Sequence, residues 1–228
     1  MSQVSPEEAR LIELRTREQS NTDEWHQLRQ YRLTGCKLKK VCSCKPTTST
    51  ANKVLEFIQS SFKGNSSTDH GKLYEPVARR LLEEKLKMKI SDCGFFIHPE
   101  YPYIGVSPDG VITDSDYLVE VKCPASLPLE KSLTECIKQK EAPLNKFWKN
   151  GEKSMNTNCD YFHQIQGQLE VTNKDVCVFA VFKITKVGEE LIHELEYELV
   201  FRDQQFWEEK MLPKFQKFFF QLLITRNC

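Results

Sequence analysis

Asp109, Glu120 and Lys122 are the residues of this chain whose types and spacing could do chemistry together. Asp109 sits in a Ser107-Pro-Asp-Gly110 run that reads as a tight turn, because proline presets one backbone angle and glycine permits another. Glu120 and Lys122 lie in Tyr117-Leu-Val-Glu-Val-Lys122, a β-branched and apolar run that reads as a buried strand. Strand side chains alternate, so Glu120 and Lys122 share one face while Val119 and Val121 enter the other layer. Two carboxylates and an ammonium then converge across a hairpin. Hard divalent cations take oxygen ligands and keep several waters, so Asp109, Glu120 and the Val121 carbonyl would suffice to hold Mg2+ against a phosphodiester. Lys122 would orient the attacking water and offset developing negative charge. The alternative is a surface hairpin in which glutamate and lysine form an ordinary cross-strand pair. Apolar residues on both sides of Glu120 weigh against it, since ionised groups are seldom embedded in a buried strand without a partner or a metal.

Pro108-Asp109, ten intervening residues and Glu120-Val121-Lys122 resemble the PD-(D/E)xK nuclease superfamily. The longer string Gly105-Val-Ser-Pro-Asp-Gly110 with Val119-Glu-Val-Lys-Cys-Pro124 is similar to its YqaJ-type viral recombinase branch, the branch of bacteriophage lambda exonuclease. Three further segments follow that branch in order. Trp25-His-Gln-Leu-Arg29 and Leu33-Thr-Gly-Cys36 resemble its W-x-x-L-R and I-T-A-S pieces, which implies that Arg29 grips phosphate and places Cys36 where serine is usual. A thiol is a poorer donor than a hydroxyl. Gly71 to Ala78 is similar to G-x-x-x-E-x-x-A, with Glu75 as a further acidic group at the metal site. The 160–171 segment resembles Y-x-x-Q-x-Q; Tyr161, Gln164 and Gln168 share one helix face, Gln164 with Ser107 would contact phosphate, and Gln168 would flank the core.

The resemblance spans roughly residues 25–171. It implies an α/β fold, a central mixed β-sheet flanked by helices with a restriction-endonuclease-like core, and Mg2+ or Mn2+ as cofactor. The implied activity is exonucleolytic, 5′ to 3′ from ends of double-stranded DNA, leaving single strands for recombination or repair. A trimeric ring and a single-strand annealing partner belong to the same expectation. Two alternatives stand beside it: a non-catalytic nucleic-acid-binding module with the nuclease fold, and a structure-specific or single-strand endonuclease.

The elements that must position these groups are expected in one domain of 228 residues, with a helical part over 1–62, a catalytic core over 63–185 and a closing strand and helix over 186–228. Hydrophobic residues make up 39% and charged residues 28%, ordinary for a globular chain. Thirty-two Lys and Arg balance 32 Asp and Glu, so nothing draws the whole molecule to a polyanion. The seven basic residues between Trp25 and Lys53, with no acidic one among them, are the candidate phosphate-facing surface; a solvated basic face is the alternative. Nine scattered cysteines without an apolar leader suit a reducing compartment, and Cys42-x-Cys44 beside Cys36 reads as ordinary thiols ahead of a zinc site. The expected location is intracellular, cytoplasm or nucleus, neither secreted nor membrane-spanning.

Helices are expected over 5–19, 24–32, 51–62, 68–87, 129–140 and 160–171, and strands over 90–98, 117–122, 176–184 and 192–200. Pro76 should kink its helix or mark its start. His98 reads as structural, and Phe147-Trp148 either stacks on bases or docks a loop on the core. Glu194, Glu196 and Glu198 give one strand an acidic face, an unlikely DNA surface and an exposed edge. A final helix over 203–224, interrupted near Pro213, carries aromatics that either pack on the sheet or make an oligomer contact.

Overall fold

The computed structural model describes residues 3–44 and 66–226; the helix expected over 51–62 lies outside them. Among the described residues two sheets carry the fold. The larger has the order β2-β5-β6-β7-β8: Ile90–Ser91, Gly110–Ile112, Tyr117–Lys122, Val176–Val187 and Glu190–Phe201. β6 and β7 run parallel and the other pairs antiparallel, so the sheet is mixed as expected. The smaller has the order β1-β4-β3: Leu33–Thr34, Ile104–Val106 and Phe96–Ile97.

Helices α1 (Pro6–Arg15), α2 (Asp23–Gln30) and α3 (Leu38–Cys42) lie in residues 3–44, and α4 (Ser66–Leu86), α5 (Leu133–Lys138), α6 (Leu144–Phe147) and α7 (Asp160–Thr172) in residues 66–226. α4 covers one face of the large sheet, with Ala78 and Leu82 packed among Val119, Val121, Val178, Ala180 and Phe182. α5, α6 and α7 cover the other, meeting Leu118, Cys177, Phe179 and Val181. β6 and β7 are therefore buried on both sides, which explains why 117–122 reads as a continuous apolar run interrupted only by its two charged residues.

The single strand expected over 90–98 is two strands in two sheets. The break falls at Gly94, where a Cβ would lie 2.0 Å from the Glu13 carbonyl oxygen, so only glycine lets α1 close on the chain there. Thr16 Oγ accepts the Phe95 N–H at 2.8 Å and Glu13 accepts that of Gly94 at 3.0 Å, replacing ladder bonds that a continuous strand would have made.

Pro76 neither starts α4 nor ends it: the helix runs through it, anchored on either side by Tyr74 stacked on Phe182 and by buried Ala78 and Leu82. The 129–140 helix is shorter than expected because Ser132 and Glu135 form a capping box that starts it late. Phe147 and Trp148 are buried, and Trp148 donates to Glu198 at 2.5 Å, so the pair docks the 129–158 segment. β8 is the sheet edge, but its glutamates are half-buried and engaged: Glu194 accepts from Leu133 N–H, Glu196 pairs with Lys153, and Glu198 holds Trp148 and Met155.

The terminal helix comprises Gln204–Phe206, a π-helical turn at Trp207–Met211 and α8 at Leu212–Arg226. The π turn falls just ahead of Pro213, which has no N–H to offer the preceding turn. Trp207, Met211, Phe215 and Phe218 pack on the small sheet, so sheet packing accounts for most of the aromatic excess. No helix among the described residues is long and apolar enough to cross a membrane.

Candidate active site

Asp109 occupies a bend that carries the chain from β4 in the small sheet to β5 in the large one; it is not the hairpin turn itself, which lies at residues 113–116. Gly110 has an ordinary backbone angle, and its need is for space: a Cβ there would sit 2.5 Å from Ile90 Cγ2. Gln19 staples the crossing by donating to the Pro108 carbonyl at 2.8 Å and the Cys93 carbonyl at 3.0 Å. Asp109 is pinned to β6 twice, its N–H donating to the Val119 carbonyl at 3.0 Å and its Oδ2 accepting the Val121 N–H at 2.7 Å.

β6 sends Glu120 and Lys122 to the face covered by α7, as strand alternation requires. The Lys122 ammonium bonds Glu120 Oε1, donates to the Val121 carbonyl at 3.0 Å and lies 3.9 Å from Asp109 Oδ2. Three hard oxygen donors thus surround a single positive charge. Glu120 is fully buried, and α7 meets it with two amides: Gln164 donates to Oε1 at 2.6 Å and Gln168 to Oε2 at 2.7 Å. The Cys159 thiol caps α7 by accepting the Phe162 N–H, and Gly35 lets β1's end approach Gln164 closely, a Cβ there falling 3.0 Å from Gln164 Cγ.

The electrostatics follow from that crowding. Burial, then the Glu120 charge, pushes the Asp109 carboxyl well above the usual carboxylate range despite Lys122 and the Val121 N–H. Glu75 is raised for the same first reason, with Lys122 opposing and Glu120 reinforcing. Burial alone would lower Lys122, but Glu120 and Asp109 outweigh it and hold the ammonium charged. Burial also raises Tyr161, whose ring centre is 5.4 Å from the Lys122 ammonium. This is a site short of positive charge. Among the described residues no three His, Cys, Asp or Glu side chains form a metal cage. Two carboxylates with a main-chain carbonyl nevertheless suit a hard cation that keeps its waters, so the donors present fit Mg2+ or Mn2+.

Next to this cluster, Trp25 donates its indole N–H to Ser107 Oγ at 2.8 Å and carries the Arg29 guanidinium 4.0 Å above its ring. Burial lowers the Arg29 pKa, and Cys36 opposes the shift. Cys36 is an exposed free thiol, 3.6 Å from Thr34 Oγ. Arg29, Cys36, Glu75, Ser107, Asp109, Glu120, Val121, Lys122, Tyr161 and Gln164 all line one cleft of about 690 Å³, so the structure brings every sequence-derived candidate together.

The sequence named Gln168 and Trp25 without their contacts in the site and gave no sign of Gln19. Gln168 binds Glu120 directly and does more than flank the core; its spacing from Gln164 was the available signal. Trp25 ties Arg29 to Ser107, and Gln19 carries no sequence signal at all. His98, by contrast, is structural as expected: its Nδ1 accepts from Glu100 and Tyr101, and burial lowers its pKa to about 4.

A model of the YqaJ-like viral recombinase domain matches residues 24–175. Among solved structures, the alkaline exonuclease LHK-Exo of Laribacter hongkongensis is similar at a TM-score of 0.64 and 22% identity, covering 90% of this chain and 94% of its own. A phage-related exonuclease from Haemophilus somnus gives a TM-score of 0.58 at 12% identity, over 89% and 99% of the two chains. The SOX protein of Kaposi's sarcoma-associated herpesvirus, solved in an RNA complex, gives 0.62 at 14% identity, over 96% and 74%. At these identities the likeness is one of fold. No curated protein matches the chain in sequence.

Proposed function

The chain belongs to the YqaJ-like viral recombinase family, and from that premise we propose that it is a metal-dependent DNA exonuclease acting on duplex ends, 5′ to 3′. The observation that carries this reading is the gathering of Asp109, Glu120 and the Val121 carbonyl around one charge, in the same cleft as Arg29 and Ser107. Those three oxygens would hold a divalent cation, which when bound would supply charge to the phosphodiester oxygens and acidify nearby water. Lys122, kept protonated by its carboxylate neighbours, holds the attacking water in line and offsets charge on the phosphate. Glu75 supports the cation side of the cleft. Arg29, fixed by Trp25, offers its planar fork to the terminal phosphate. Ser107 Oγ accepts from Trp25 and so keeps its own proton to donate to the same group. Tyr161 walls the lysine in.

The exposed thiol at Cys36 favours a second reading, because a weak donor there grips a terminal phosphate less firmly and internal cleavage becomes the rival. A ring assembly and hand-over of the product strand to an annealing protein extend the first reading. Digestion of linear duplex with a 5′ phosphate, linear duplex without one, closed circular DNA and RNA, each with Mg2+, tests it. We expect the phosphorylated linear duplex to be degraded fastest and the circle to survive. Cutting of the circle at a comparable rate favours the endonuclease, and end binding without product favours a non-catalytic module.

A further inference from the structure

Gln168 has no part in the reaction as proposed so far, yet it makes a costly arrangement. It is 1% exposed, its Nε2 donates to Glu120 Oε2 at 2.7 Å, and its Oε1 is buried without a partner. An orphaned buried acceptor is unfavourable, and an apolar side chain of similar volume would avoid it. What the amide does offer is its donor. The last torsion of a glutamate is broad and nearly two-fold, so a buried carboxylate is not aimed by its own chain. Two amides from successive turns of α7, one on each oxygen of Glu120, fix the plane of that carboxylate relative to Asp109. Gly167 keeps the helix seated for this, since a Cβ there would meet Leu38 Cδ1 at 2.2 Å. The two amides are unequal, because Gln164 lines the cleft, where the family resemblance brings it to phosphate and its two N–H donors can be shared, whereas Gln168 is buried behind it with Glu120 as its hydrogen-bond partner.

We propose that Gln168 is a positioning residue that holds Glu120 in its cation-binding orientation throughout turnover; the inference rests on the metal-dependent reading above. It is tested with Gln168→Met, which keeps the volume, removes the donor and removes the orphaned carbonyl. Mn2+ alone is titrated calorimetrically into wild type and variant, thermal unfolding is followed, and kcat and KM are measured on linear duplex. The melting temperature should stay close to that of wild type. Mn2+ affinity and kcat should each fall about tenfold or more, the scale seen when an outer-shell partner of a metal ligand is removed, while KM for DNA changes less than about twofold. Should Gln168→Met fail to fold, Gln168→Asn, whose amide is too short to reach Glu120, should show the same losses. Wild-type Mn2+ affinity and kcat in a folded variant overturn the proposal, as does a lowered melting temperature with kcat intact. A wild-type protein that takes up no Mn2+ instead overturns the reading on which it rests.

Discussion

Asp109 accepts a strong main-chain hydrogen bond and faces an ammonium, and its pKa still lies well above the ordinary carboxylate value. A carboxyl whose folded pKa exceeds its unfolded one stabilises the fold less as pH rises between the two, since the folded state binds the proton more tightly. Without added metal, the contribution of Asp109 to stability should therefore fall as pH climbs from about 4, the unfolded value, through the raised one. Asp109→Asn removes that penalty. Its melting temperature should exceed that of wild type at neutral pH, the gap closing near pH 4, while cleavage is lost; scanning calorimetry in chelator checks this, and a constant gap across that range would contradict it. At this scale much was legible in the sequence. Asp109, Glu120 and Lys122 stand on one short hairpin, where local spacing nearly dictates proximity. Gln168 was placed on the right helix face, but which carboxylate it would meet depends on how α7 crosses β6, and that is set by packing distant in the chain.

The hairpin can present its carboxylates only if β5 fits against β2, and a Cβ at Gly110 would fall 2.5 Å from Ile90 Cγ2. Gly110→Ala should force Ile90 aside and cost about 1–3 kcal/mol as an overpacked site, with a fall in kcat because Asp109 is the adjacent residue. Urea unfolding with parallel kinetics checks both; an unchanged midpoint would mean that Ile90 yields freely. The α1 clamp makes a second test. Thr16→Val leaves the buried Phe95 N–H unpaired, at a cost of about 1–3 kcal/mol. These devices explain where element boundaries escaped the sequence. Alternation over 90–98 looked like one strand, because nothing local announces that a helix some eighty residues earlier takes over the hydrogen bonds of Gly94 and Phe95. Helices α1, α2 and α7 were legible, since Ser5 and Thr22 cap the first two and Tyr161, Gln164 and Gln168 share a face of the third, although α1 stops at Arg15, short of the expected residue 19.

With 32 basic and 32 acidic residues the molecule as a whole has no pull on a polyanion, so phosphate contacts must be few and local to the cleft. Affinity for duplex ends, measured with Ca2+ to suppress turnover, should fall with salt along a shallow slope, and Arg29→Ala should lower that slope by about one phosphate contact. An unaltered slope would remove Arg29 from the interface. The layered plan of helices on both faces of a mixed sheet was legible through the family resemblance, and its physical ground in the structure is that β6 and β7 are buried on both sides. The second, smaller sheet did not, since its strands are two or three residues long and gain their order from α1, α3 and the terminal helix. In the proposed reaction Asp109 and Glu120 act on phosphodiesters through a shared cation with Lys122 beside it. This is tested most directly by end-labelled linear duplex incubated with Mg2+ and either wild type, Glu120→Gln or Lys122→Ala, each verified as folded. Wild type should release labelled nucleotides, EDTA should stop it, and both variants should be slower by about a thousandfold or more, as when a preorganised charge is lost from an active site. Release by either variant at the wild-type rate would contradict the account.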